Sequence, residues 1–280
     1  MKTRLKILVG VCVTAAAAVI VSTAGAGAPV PLCNGSPGTE LNQTHYGDLT
    51  LSGNAWVGNT DTLTVYGNLT LKPGACLDAF SLGTVRVSGS VFVKKGAILA
   101  LGCAPDAAEP PSPCGTSYSY DTVGGSILAD QPWTMYLTNI TVWGNVVSNG
   151  GGPGPTLSPY VNFPIKDNRI YGNLIVQGWQ GAWLGALRNT VRGAAIFENN
   201  VGVTIGDTGK PDANEDVGNT IFGNLICLGN SPAVGFGDSG ARPNRVSVAG
   251  AASGECATDV YQPDPYYDGG GPQPVSVKFR

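Results

Sequence analysis

The sequence predicts an all-β parallel β-helix, a β-solenoid forming one elongated domain with loop insertions. A short glycine-centred motif recurs at seven places, and the apolar residues around it share one strand parity. The composition agrees: 41 glycines in 280 residues and only 12% charged residues suit tightly turning β structure better than a helical globule.

The first segment stands outside the fold. Lys2, Arg4 and Lys6 precede an apolar run from Ile7 to Val21, and Ala24-Gly25-Ala26 supplies small residues for signal peptidase. Cleavage is expected after Ala26, because a cut after Ala28 would place Pro29 next to the bond. Residues 1–26 are therefore read as a signal peptide and 27–256 as the β-helix domain. The run is short and Ala-rich for a bilayer span, so no membrane insertion is expected once the signal is removed. The remaining chain has thirteen basic and nineteen acidic residues, a net charge of −6, which argues against nucleic acid as a partner.

Six cysteines remain: Cys33, Cys76, Cys103, Cys114, Cys227 and Cys256. An even number in an exported chain reads as disulfides, with fifteen formal connectivities. Proximity favours Cys103–Cys114 across a Pro-rich loop, leaving Cys33–Cys76 and Cys227–Cys256 to staple the two ends. Zinc is disfavoured, since there is no Cys-x2-Cys pair and His45 is the single histidine.

The repeats are Tyr46-Gly47-Asp48-Leu49, Tyr66-Gly67-Asn68-Leu69, Ser88-Gly89-Ser90-Val91, Trp143-Gly144-Asn145-Val146, Tyr171-Gly172-Asn173-Leu174, Arg192-Gly193-Ala194-Ala195 and Phe222-Gly223-Asn224-Leu225. Their glycines are 20, 22, 55, 28, 21 and 30 residues apart, a basal coil of 20 to 22 with insertions. Val65, Val87, Val142, Ile170, Val191 and Ile221 stand two before the glycine. Leu49, Leu69, Val91, Leu174 and Leu225 stand two after it, so all face one side of a strand. The opposite parity, with Asn68, Ser90, Asn173 and Asn224, is assigned to solvent, and the glycine to a bend or a close backbone approach. Asn168, Asn189 and Asn219, each four before a glycine, are expected to stack as a ladder. Cys227 sits in a slot filled elsewhere by Leu or Val and is expected to be half-cystine or core, not a reactive nucleophile.

The long interval holds the disulfide loop 103–114, whose prolines forbid ladder hydrogen bonding, and then Thr122-Val123-Gly124-Gly125-Ser126-Ile127, a loose echo of the repeat. Further insertions lie at 148–164 and 207–216. Insertions on different coils tend to gather on one face, so a ligand is expected there. Residues 257–280, rich in Pro, Gly and Tyr, are read as a flexible tail.

Chemistry is sparse. Asp207, Asp212, Asn214 and Asp216, with Glu215, offer oxygen ligands and are candidate calcium ligands, although the glycine of a helix-loop-helix calcium loop is missing; no other cofactor is indicated. His45 occupies a core slot, which disfavours a His-dependent triad. Trp179 and Trp183 on one Gly-rich turn are candidate ligand-binding residues that would offer ring faces to sugars.

The Gly-Asn-Leu repeats, Trp183-Leu184-Gly185 followed by Arg188-Asn189, and Asn219 to Cys227 with Gly254-Glu255-Cys256 resemble secreted right-handed parallel β-helix repeat proteins of actinobacteria, over about Thr39 to Cys256. That resemblance implies export and fold, and carries over no catalytic position. The repeats are also similar to the polymer-forming bactofilins, which implies end-to-end self-association, although bactofilins are cytoplasmic and lack signal peptides and disulfides. The expected function is that of a secreted or cell-surface structural or binding protein of adhesin type, not an enzyme, with extracellular polysaccharide or cell-wall glycan as partner. The alternatives are a carbohydrate-active β-helix lyase or hydrolase and a self-assembling filament.

Overall fold

The computed structural model of the chain describes residues 33, 38–105, 114–154, 161–203, 213–237, 242–247 and 250–257. Residues 1–26, read from the sequence as a signal peptide, residues 106–113 of the disulfide loop, and the residues beyond 257 lie outside them. No helix among the described residues is long and apolar enough to cross a membrane.

Each coil of the chain contributes one short strand to each of three parallel sheets. The first sheet has eight strands, running from Thr39–Glu40 and Asn54–Trp56 to Trp183–Leu187 and Asn214–Val217; the second has nine, from Thr44–His45 to Arg245–Val246; the third has nine, from Leu49–Leu51 to Ala252–Gly254. Within each sheet the strands between its ends pair with their counterparts one coil before and one coil after, as in Leu174↔Ala195 and Ala195↔Leu225, and Gln180–Gly181 with Val201–Gly202 adds a separate two-stranded pair. The chain is therefore a parallel β-solenoid, as the repeat predicts.

The parity argument also holds. Val65, Val87, Val142, Ile170, Val191 and Ile221 of the second sheet, and Leu69, Val91, Leu174 and Leu225 of the third, are buried in one continuous core. The first sheet adds Leu77, Leu99, Leu137, Phe163 and Leu184 from its inward positions. One coil alone buries almost none of this surface, so at about 25 cal/mol per Å2 the stabilisation exists only in the stack.

The glycines mark the corner between the second and third sheets. Gly67 N donates to Gly47 O at 3.1 Å, and Gly89, Gly125, Gly144, Gly172, Gly193 and Gly223 each donate to the glycine one coil before at 2.8 to 2.9 Å. A Cβ on Gly172 would lie 2.7 Å from Gly144 O, which explains the conserved register of the motif along this chain. Gly125 belongs to the chain of contacts, so the 55-residue interval contains a full coil. Thr122–Val123 pairs with Arg86-Val87 on one side and Thr141–Val142 on the other. The Pro-rich insertion obscured its period.

The residue after each glycine does more than face water. The Asp48, Asn68, Asn145 and Asn173 side-chain oxygens accept from the backbone N–H of Asn68, Ser90, Asn173 and Ala194 one coil on, at 2.7 to 2.9 Å. Ser90 and Ser126 do the same through Oγ. Two residues further on, Phe92, Leu128, Val147, Ile175, Ile196 and Ile226 form an apolar outer column, all but Leu128 half-buried through contact with its neighbours along the stack.

The predicted asparagine ladder is present, fully buried, and one rung longer. Asn168 N donates to Asn189 Oδ1, Asn189 N to Asn219 Oδ1 and Asn219 N to Asn244 Oδ1, at 2.8 to 3.0 Å. Each Nδ2 also reaches a carbonyl of the neighbouring coil, as Asn189 reaches Ile165 O at 2.7 Å. A left-handed residue precedes each of the first two amides, Asp167 (φ 60°) and Arg188 (φ 57°), whose side chains form a two-point ion pair at 2.7 and 2.8 Å. A second ladder at another corner runs from Asn200 to Asn230 and ends on Glu255, whose carboxylate takes Asn230 N and Nδ2 at 2.9 Å.

Asp121 occupies the same ladder column as the asparagines. Its Oδ1 accepts from Val85 N at 2.8 Å, while its Oδ2, where asparagine carries an amide donor, has no hydrogen-bond partner. Burial pushes this carboxyl up to about 7 from 3.8.

All three proposed disulfides form, with Cα–Cα distances of 5.6 Å for Cys33–Cys76, 5.9 Å for Cys103–Cys114 and 5.3 Å for Cys227–Cys256, inside the usual range. Cys227 and Cys256 are fully buried and close the last coils.

Asn189→Ala would strand the buried N–H of Asn168 and the carbonyl of Ile165, at a cost of about 2–4 kcal/mol. Asn173→Ala frees a half-buried N–H that water reaches, so the loss should stay within about 1 kcal/mol. Urea unfolding of the two variants checks the contrast; equal losses would mean that the inner ladder is not the stronger one.

A second expectation concerns Asp121. Below about pH 4 its carboxyl is protonated in both folded and unfolded chains and adds no slope. Between about 4 and 7 only the folded chain keeps the proton, so stability falls as pH rises, and above 7 the whole penalty applies, of order 4 kcal/mol at about 1.4 per unit. Asp121→Asn should therefore raise the melting temperature much more at pH 8 than at pH 4.5. A gain of the same size at both pH values would contradict this.

Candidate functional site

The residues singled out in the sequence fall in places that change their meaning. Trp179 is fully buried, packed 5.3 Å from the Phe163 ring, and its backbone N–H is taken by Asn200 Oδ1 at 3.0 Å. It is a corner residue of the core and offers no ring face to a sugar. Trp183 lies around that corner on the first sheet, half-buried, with Lys166 Nζ 5.1 Å from its ring centroid and Leu187, Val217 and Phe236 beside it. The two rings do not form one platform.

Asn214 and Asp216 are likewise corrected. They sit on the strand Asn214–Val217 at the inward parity, paired with Leu184 and Ala186, and both are buried. Asp216 accepts from Asn219 Nδ2 at 2.7 Å and Asn244 Nδ2 at 3.0 Å, and Asn214 Nδ2 donates to Pro232 O. Alternate acidic positions here mean strand parity, not a solvent-facing calcium loop. Asp207 and Asp212 lie outside the described residues. Asp216 also approaches the sulfurs of Cys227 and Cys256, but these are bonded to each other and offer no thiolate. His45 stands, half-buried, at the head of the core column beside Gln43.

The accessible feature is the outer face of the second sheet. Its strands read outward–inward–outward, as in Thr64-Val65-Tyr66, Thr141-Val142-Trp143 and Arg169-Ile170-Tyr171. The residue before each glycine thus forms an external column. Backbone bonds fix its order: Tyr66 N to His45 O, Ser88 N to Val65 O, Gly124 N to Val87 O, Trp143 N to Val123 O, Tyr171 N to Val142 O, Arg192 N to Ile170 O and Phe222 N to Val191 O. Successive members are one strand spacing apart, about 4.8 Å.

At that spacing rings stack. Tyr46 and Tyr66 are 5.4 Å apart and 16° from parallel; Trp143 and Tyr171 are 4.3 Å apart and 15° from parallel. Arg192 then places its guanidinium 4.5 Å from the Phe222 ring centroid. The column stays in water, with Tyr66 59% and Trp143 57% exposed.

Between Tyr66 and Trp143 the column holds Ser88 and Gly124. Neither fills its rung, and a Cβ on Gly124 would meet Ser88 O at 2.3 Å. The ring of Tyr66 is covered by Tyr46 on one side and that of Trp143 by Tyr171 on the other, so their uncovered faces look at each other across the gap. Three rungs separate them, about 14 Å, leaving roughly 11 Å clear of the ring thicknesses. The notch has Arg86 and Thr122 along its flank, at the neighbouring outward positions.

The same face is cationic. Arg86, Arg169, Arg192 and Arg245 are exposed on it, and none of its outward strand positions carries an acid. Arg169, Ile170, Tyr171, Thr190 and Arg192 line a shallow depression of about 150 Å3.

The signal for this site was in the repeats, in the residue that precedes each glycine. Its meaning depended on the hidden coil at Gly125, without which Ser88 and Trp143 do not come out two rungs apart. Comparison of the chain with protein families, curated proteins and solved structures finds no match.

Proposed function

We propose that this chain is an exported, non-enzymatic binding scaffold that holds a carbohydrate chain along the outer face of its second sheet. The observation that carries this is the notch between Tyr66 and Trp143, where two uncovered aromatic faces oppose each other across small residues. A pyranose ring presents C–H groups on its faces and hydroxyls on its rim. It therefore suits a slot with aromatic walls and a polar flank, here Thr122 and Arg86.

Export rests on the sequence of residues 1–26 and on the three disulfides, which persist in oxidising compartments. A hydrolase or lyase would need acids free to act on substrate. Among the described residues no acid stands at the outward strand positions of the second sheet; Asp167 is held by Arg188, Asp48 by Asn68 N–H, Asp216 by two asparagines and Glu255 by Asn230, while Glu40, its carboxyl raised by desolvation and by the neighbouring Asp61, lies on the first strand of the first sheet. A filament built end to end is the weaker alternative, because Glu255 and the Cys227–Cys256 bridge terminate ladder and core at the last coil.

A glycan array followed by titration calorimetry tests the proposal. Trp143→Ala should weaken binding about fivefold, the scale of roughly 1 kcal/mol for an aromatic stacking contact. Ser88→Tyr, at an exposed position, should continue the column, leave folding intact and fill the notch, so that binding is lost. Binding untouched by both changes, or release of reducing or unsaturated sugar ends, would refute it.

A further inference from the structure

The glycan is further defined by charge. We infer that the depression beside Tyr171 is a subsite for an anionic group on a sugar ring, so that the ligand is an acidic polysaccharide.

Arg169 and Thr190 are register partners on adjacent strands, as are Ile170 and Val191, so Tyr171 and Arg192 also face one another. The four outward side chains form a square, with guanidinium groups on one diagonal and a ring and a hydroxyl on the other. They enclose the depression of about 150 Å3. Neither Arg169 nor Arg192 is paired with a carboxylate among the described residues; the contact of Arg192 is the Phe222 ring, which leaves its N–H edges free. Two like charges are thus held close on a face without counter-charge, in a chain with an acidic excess. That arrangement is favourable when an anion sits between them, receiving N–H donors from both guanidiniums and O–H from Thr190.

Tyr171 joins this square to the notch, since it stacks on the far face of Trp143. A sugar ring against Trp143 and an acidic group at Arg169 and Arg192 lie within two or three rungs of each other, about 10–15 Å along the stack. A short run of an extended pyranose chain covers that distance. Arg86 on the notch flank and Arg245 beyond Phe222 continue the cationic track in both directions.

Both carboxylate and sulfate sugars carry this chemistry, and the inference rests on the carbohydrate reading given above. Titration calorimetry of the oxidised chain uses an oligogalacturonate hexamer, its methyl ester, a heparin hexasaccharide and neutral cello- and chito-hexaoses. The expected result is binding of one acidic hexamer that weakens at least tenfold in Arg169→Gln/Arg192→Gln and falls with added salt. For the uronate, methyl esterification should cost as much as the double substitution. Heparin binding with the same arginine dependence, without uronate binding, supports the inference with sulfate as the group. Equal binding of acid and ester, or preference for the neutral hexaoses with Trp143 still required, overturns the acidic subsite while leaving the carbohydrate reading intact. Binding of none of these sugars overturns both. Arg169→Gln and Arg192→Gln alter exposed positions, and an unchanged melting temperature separates loss of binding from loss of fold.

Discussion

The structure depends on how closely one coil lies on the next at the glycine corner. There the backbone of each coil donates to the glycine carbonyl of the coil before it, and a Cβ would fall inside the van der Waals envelope of that backbone. Every side chain two places before or after is carried into register by this contact. The apolar columns become a core, the buried amides become ladders and the external rings become a stack. A side chain at the corner would push the coils apart and weaken all three sets of columns together. The requirement is for absence of a side chain, which is why glycine persists at that position while residues around it vary.

Much of this was legible because a solenoid converts periodicity directly into contact. Val65, Val87, Val123 and Val142 follow one another along the core for the same reason that they align in the repeat. Asn168, Asn189 and Asn219 stack because each follows a corner residue. The disulfides followed from proximity along the coil order. What failed were inferences from nearness in sequence. Trp179 and Trp183 are four residues apart, yet a corner lies between them, so one ring enters the core and the other the outer side of the first sheet. Asn214 and Asp216 have the alternation of oxygen ligands in a loop, which is also the alternation of a strand, and burial selected the strand. The second ladder, Asn200 to Asn230 to Glu255, was less legible because only two of its rungs are asparagine, although a left-handed residue recurs at its corner as Gly150, Gly178, Asn199 and Gly229.

Most residues of the insertions, 106–113, 155–160 and 204–212, lie outside the described residues. Segments 150–161 and 203–213 lead into strands of the first sheet, and segment 102–121 leaves it. Several outward residues of the middle and later strands of that sheet, Ile98, Ala100, Thr138, Lys166, Leu187 and Val217, are buried, whereas Glu40 and Trp56 on its first strands are exposed. The second sheet has no such cover, and its outer face keeps tyrosine, tryptophan and arginine in water, where burial gives them no stabilising role.

Exposure alone is a weak argument, since single surface aromatics are common. The interruption at Ser88 and Gly124 is more informative. Stacking rings along a ladder is self-reinforcing, because each added ring gains contact with the last at a spacing the backbone already sets. At Gly124 close backbone packing excludes a side chain, but Ser88 stands at an exposed rung where a ring could have continued the stack, and the column then resumes with its largest ring, Trp143. A binding surface gains from such a break, because a ligand ring needs an uncovered face, and in a stack the faces are uncovered only where the stack is broken. On this geometry the break is the functional element, and the stacked rings on either side hold Tyr66 and Trp143 rigid at its walls.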